Sequence, residues 1–336
     1  MKKGLLLINI GTPKAPKPSD VRLYLREFLS DKRVVHLPAL LRYILLYGII
    51  LPTRPKRSAK AYQAIWTKEG SPLLMHCETL TRKLQETLSD TNIVLGMRYG
   101  KPSLESALDE LADCEHIIIL PLYPQYSSAA TGSSLEKALQ LIQRNAIIPS
   151  LTIIRDFHQH PAFIKAQAEL IKPYIDDQDM ILFSYHGVPE NHLLRGSCKS
   201  LCSQGCSIDS SQNPSCYRAQ CLRTTEAIAK QLELSSTTYL TSFQSRLGKT
   251  RWIEPYTDKV LVELAEQGVK KLAVTCPSFV ADCLETLEEI GIQAQAQWQK
   301  LGGETFTLIP CLNANEAWVE AITQIIQSPT SISPNG

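Results

Sequence analysis

The chain has 336 residues, 44% of them hydrophobic and 20% charged, enough for two domains that each bury a full core. Its 35 lysines and arginines against 33 aspartates and glutamates leave a formal charge of +2, which excludes the basic field that holds nucleic acid. The opening MKKGLLLINIGTP carries a short apolar run with no small-residue cleavage site, so it reads as a first strand and not as a secretory leader, and the 10 cysteines are expected to stay reduced in the cytoplasm.

In chain order, Gly4 to Ile10 reads as a strand ended by the turn Gly11-Thr12-Pro13, and Ser19 or Asp20 is expected to cap a helix reaching Phe28. The stretch from His36 to Pro52 is almost wholly apolar, with Arg42 inside it and Arg54, Lys56, Arg57 and Lys60 just after. It is too short, and Arg42 too central, for a membrane span. Two readings stand: a buried core helix, or a helix that dips into a lipid surface while the cations meet acidic headgroups. Helices follow near 56–68 and 72–89, and then strands near 92–98, 116–121 and 151–155 alternate with helices.

The second half repeats this plan, with strands near 180–185, 238–243, 270–275 and 304–309 separated by helices. The repeat predicts an α/β protein of two similar doubly wound, Rossmann-like domains, each with a four-stranded parallel sheet, facing each other across a cleft. The first domain is expected at 1–154 with an apolar lip at 36–60. The second is expected at 155–311 with a cysteine-rich loop at 190–221, and a last helix, 312–329, is expected to pack back on the first domain.

Ligands of such sheets gather at the carboxyl ends of the strands, so the polar residues there are the candidates. His186 stands where a buried strand breaks at Gly187-Val188-Pro189; alone it is as readily a structural histidine. The loop 122–134 offers Tyr123, Gln125 and several hydroxyls, or simply a turn and an N-cap. After the strand near 270–275, Asp282 and Glu285 have the spacing of a helix-capping pair. Cys198, Cys202, Cys206 and Cys216 crowd the loop that follows His186, with Cys221 just beyond, and reduced thiols so spaced suit an iron–sulfur cluster, zinc, or no metal at all.

Taken together and in order, these segments resemble the ferrochelatase family. The resemblance runs through LLLINIGTP at the start, YQAIWTKEGSPL at 62–73, RYGKPSLESAL at 98–108, LPLYPQYSSAATGSS at 120–134, SYHGVP at 184–189, TSFQSRLGKTRWIEPYTD at 241–258 and CPSFVADCLETLEEIG at 276–291. It implies insertion of Fe2+ into protoporphyrin IX with release of two protons, the last step of haem synthesis. His186 and Glu285 would be the proton acceptors and iron-delivery groups in the interdomain cleft. Arg54, Tyr62, Tyr123 and Trp252 would bind the porphyrin, and Ile10, where coproporphyrin-using relatives carry tyrosine, favours protoporphyrin. The apolar segment becomes a lip collecting porphyrin from the inner face of a membrane, on which the protein would sit peripherally.

Two departures from the family pattern stand out. Cys283 occupies a position that is often histidine, and the loop cysteine that binds a [2Fe-2S] cluster in the animal type is here Ser128. The internal cysteines are therefore assigned to a [2Fe-2S] cluster held by Cys198, Cys202, Cys206 and Cys216, with Cys221 as the alternative. Other readings are a different tetrapyrrole chelatase or a non-catalytic iron-binding protein. Nothing in the residues fixes an oligomeric state.

Overall fold

Leu5, Leu6, Leu7 and Ile8 are completely buried. A strand apolar on both faces needs a helical layer on each side, and the chain supplies those layers in both halves. The computed structural model describes residues 2–193, 214–246, 248 and 250–328. Two compact units result: one holds Met1–Tyr123 and Ser127–Asp156, the other Pro124–Tyr126 and the chain from Phe157 onward.

In the first unit β1 (Lys3–Gly11), β2 (Thr91–Tyr99), β3 (His116–Pro121) and β4 (Ser150–Ile153) form a parallel sheet in the order β2-β1-β3-β4. In the second, β5 (Met180–His186), β6 (Tyr239–Gln244), β7 (Lys271–Thr275) and β8 (Thr305–Leu308) repeat it as β6-β5-β7-β8. Each observed strand lies within one or two residues of its expected position. The shared order reverses direction beside the first strand of each sheet, so the exits of β1 with β3 and of β5 with β7 flank the topological switch points where ligands bind in open α/β sheets.

The cores follow the pattern. Leu6, Ile8, Val94 and Ile119 pack against Leu104, Leu111 and Leu141 in the first unit. Leu182, Leu272 and Val274 pack against Leu261, Leu264, Ile290 and Trp298 in the second. At the end of β1, Gly11 has φ +103, and a Cβ there would stand 1.8 Å from the Tyr99 carbonyl oxygen; only glycine fits.

Some expectations change. The first helix is Pro18–Ser30, with Lys17 at its N-cap, because a proline at the first turn gives up an amide that has no helical partner anyway. The apolar segment is a helix in three parts, Ala39–Ile44 in α form, Leu45–Ile50 in π form and Leu51–Ile65 in α form. Pro52 and Pro55 cannot donate to the turn before them and their rings push it open, which suits a widened turn at that place. Leu46 and Leu51 are buried with Leu29, whereas Leu40 is 70% and Tyr43 60% exposed, so a wholly buried core helix is ruled out. No helix among the described residues is long and apolar enough to cross a membrane. The last helix, Glu316–Gln327, is anchored by Trp318, which lies 5.7 Å from Phe157 and 5.9 Å from Phe163 in its own unit.

Candidate active site

β5 is buried from Met180 to Tyr185, and its last residue, His186, is the first to emerge. On one side the strand stays paired with β6 to the end, His186 opposite Gln244. The next residue must be small: a Cβ on Gly187 would lie 2.8 Å from the Gln244 carbonyl oxygen and 3.2 Å from Trp252. This close approach sets Trp252 beside the imidazole, ring centroids 6.3 Å apart, with Phe279 at 6.2 Å.

The imidazole has a defined orientation. Its Nδ1 is 2.6 Å from the Gly187 carbonyl oxygen. A carbonyl only accepts, so Nδ1 carries the proton, and in the neutral ring Nε2 keeps its lone pair. The backbone is held as well: the His186 N–H donates to Ser278 Oγ at 3.0 Å, and the Tyr217 hydroxyl donates to the His186 carbonyl at 2.7 Å.

Glu285 begins a ten-residue π-helix, Glu285–Ala294. Such turns are uncommon and concentrate at functional sites. Two anchors fix its start. Asp282, buried, accepts from Thr286 Oγ1 at 3.0 Å and from Asn313 Nδ2 at 2.7 Å, so Asp282 caps through Thr286 and the expected pairing with Glu285 does not form. Gln244 Nε2 donates to the Glu285 carbonyl at 2.8 Å while its Oε1 accepts from Ser184 at 2.7 Å. Burial, the Glu285 charge and a hydrogen bond to that carboxylate all push the Cys283 thiol well up, so it remains a protonated neighbour of Glu285.

One turn on, Glu289 accepts from the Ser245 N–H at 2.7 Å and from its Oγ at 2.5 Å. Ser245 adopts φ +70 to present both donors. Burial raises the Glu289 carboxyl above the usual range; the Ser245 bonds and His186 work against that, and Glu285 adds to it. Glu289 therefore lies within electrostatic reach of both His186 and Glu285. Gln244, Ser245, Ser278 and Glu289 all lie in the quoted motifs TSFQSR and CPSFVADCLETLEEIG but escaped the sequence reading, because neither a left-handed serine nor a π-turn leaves a periodicity signal.

The other candidates lie in the first unit. Ile10 and Tyr123 stand at the exits of β1 and β3, beside the switch point. The Tyr123 hydroxyl is 3.4 Å from Ser134 Oγ, and burial pushes the phenol up. Arg54 and Tyr62 share the helix Leu51–Ile65; Tyr62 is buried edge-on to Trp66, and Arg54 is half-buried. Of the cysteines, Cys198, Cys202 and Cys206 lie outside the described residues. Cys216 is buried at the N-cap of the helix Tyr217–Gln231, and Cys221 is wholly buried on that helix, its thiol pushed well up by burial. Among the described residues no group of three or more His, Cys, Asp or Glu side chains is arranged to hold a metal ion.

Two parallel sheets of one topology, with His186 at the exit of β5 and Glu285 in the segment that follows β7, give the fold of the α/β class to which solved chelatases belong. The solved structure of the sirohydrochlorin chelatase SirB from Bacillus subtilis subspecies spizizenii in complex with cobalt shares this fold, with a TM-score of 0.55 at 11% identity over 98% of this chain and 95% of that one. The ferrochelatase family profile matches residues 2–330, and the chain belongs to that family. A curated ferrochelatase of Legionella pneumophila (strain Lens) is 57% identical over 97% of this chain and 99% of its own length, and one of Coxiella burnetii (strain Dugway 5J108-111) is 52% identical over 96% and 93%. The chain is accordingly a metal chelatase, a lyase that inserts iron into a porphyrin in haem biosynthesis, and the alternatives of another tetrapyrrole chelatase or an iron carrier give way.

Proposed function

We propose that the porphyrin is protoporphyrin IX and that His186 and Glu285 receive the two pyrrole protons displaced by Fe2+. The free base carries two N–H groups, and the entering dication replaces both, so two protons leave and charge balances. His186 Nε2 accepts one. Glu285 takes the other and hands it to Glu289, whose raised carboxyl is suited to hold it. The observation that carries this reading is the His186 ring locked through Nδ1 to the Gly187 carbonyl, which leaves Nε2 as a base in a fixed direction.

Trp252 and Phe279 offer apolar area beside the imidazole, and Arg54, Tyr62 and Tyr123 offer donors to the porphyrin's carboxylates, the arginine through its two-pronged fork. Ile10 presents a side chain without a donor, in keeping with protoporphyrin over coproporphyrin. The exposed apolar residues of the segment 39–50, followed by Arg54, Lys56, Arg57 and Lys60, support peripheral attachment to an anionic lipid surface. His186→Ala and Glu285→Gln variants, assayed anaerobically with protoporphyrin IX and Fe2+, each lose at least about 100-fold in kcat with little change in KM. Unchanged kcat in either variant removes that residue from the reaction.

Cys198, Cys202, Cys206 and Cys216 are proposed to hold a [2Fe-2S] cluster. Cys216 fits, standing at the N-cap of its helix next to the segment that carries the other three, whereas Cys221, sealed within its helix packing, does not. Such a cluster supplies one-electron redox chemistry, and no step of metallation is routed through it. Iron and acid-labile sulfide in equal amounts, lost in a Cys216→Ser variant, support the assignment; zinc or no metal refutes it.

A further inference from the structure

On its β7 side, β5 loses ladder pairing after Phe183 opposite Thr275, so the backbone of His186 has no strand partner there. Two side chains take the strand's place. Ser278, just beyond β7, accepts from the His186 N–H at 3.0 Å, and Tyr217 donates to the His186 carbonyl at 2.7 Å. The peptide groups on both sides of the His186 Cα are thus held by hydroxyls from two other segments.

We propose that Tyr217 and Ser278 are positioning residues for His186, which hold its backbone and so fix the direction of Nε2. Tyr217 is the first residue of the helix whose N-cap is Cys216, so the hydroxyl that holds the His186 carbonyl belongs to the residue next to that cysteine. Tyr217 is 7% exposed, leaving little room for water to replace its hydroxyl. This inference rests on His186 being the base.

The test is a cycle of variants in the full-length enzyme, assayed with protoporphyrin IX and Fe2+. Tyr217→Phe lowers kcat by about 10- to 100-fold, the loss expected when a reacting group is displaced by about 1 Å, while KM for porphyrin stays within about twofold. In a His186→Ala background the same change alters the residual rate by less than about twofold. Ser278→Ala behaves like Tyr217→Phe, and Ser278→Thr, which keeps the hydroxyl, recovers most of the rate; this pair decides the matter should Tyr217→Phe fail to fold. Wild-type kcat in both Tyr217→Phe and Ser278→Ala overturns the proposal, as does an equal fractional loss with and without His186, the mark of a purely structural role. Wild-type metallation by His186→Ala overturns the catalytic reading itself, and is distinct from either result.

Discussion

Gln244 and Glu285, from a strand end and a π-helix start, are joined by a hydrogen bond of 2.8 Å between the glutamine amide and the glutamate carbonyl. Because Gln244 also lies opposite His186 in the β5–β6 register, one buried amide references the carboxylate to the imidazole. Gln244→Ala leaves the Glu285 carbonyl and the Ser184 hydroxyl without this partner. It is expected to cost about 1–3 kcal/mol of unfolding free energy and to lower kcat more than it changes KM. Urea titration together with steady-state metallation checks both.

Glu289 carries a pH signature. Its carboxyl is raised in the folded protein, chiefly by burial, above its ordinary 4.5. A raised pKa means that the folded state binds the proton more tightly, so the associated stability is fully present below 4.5 and is lost as pH rises through the folded value. Glu289→Gln removes this dependence. Measured by urea unfolding across that range, the wild type is expected to lose stability relative to the variant as pH increases.

Asp31 is the opposite case. Burial raises its carboxyl, but bonds from Ser133, the Arg33 backbone and Tyr99, and the charge of Arg98, outweigh it and hold the group below its ordinary 3.8. Its contribution is present above 3.8 and is lost as pH falls through the depressed value. The pair with Arg98 is 2.6 Å long with side chains only 15% and 7% exposed. Asp31→Ala, which leaves Arg98 buried and unpaired, is expected to cost about 3–5 kcal/mol at neutral pH, read from denaturant midpoints.

Leu40, Tyr43, Ile44 and Ile49 are more than half exposed. Leu40→Asp with Ile44→Asp is expected to abolish flotation with vesicles containing anionic phospholipid, while shifting stability by no more than about 0.5 kcal/mol, because neither side chain supports the core. Flotation equal to wild type contradicts a lipid-binding role for the segment.

Much of this architecture was legible in the residues. Strands such as LLLIN and MILFSY are continuous apolar runs closed by Gly or Pro, and alternation with helices gives parallel sheets by itself. His186 was legible as a strand-end residue for the same reason. The supports of the site were not. Gln244 and Ser245 read as an ordinary strand end, and their roles depend on the cross-strand register and on φ +70 at Ser245. The π-turns at Leu45–Ile50 and Glu285–Ala294 carry apolar residues that an α-helical spacing also fits. For the last helix an amphipathic face states that it is buried, but not against what; the packing of Trp318 on Phe157 and Phe163 is visible only in the structure.

Whether Nε2 of His186 takes a pyrrole proton is tested most directly by chemical rescue. With His186→Ala enzyme, Fe2+ and protoporphyrin IX, added imidazole is predicted to restore metallation in a saturable manner, while leaving Glu285→Gln enzyme inactive. Wild-type turnover by His186→Ala without imidazole would contradict the claim.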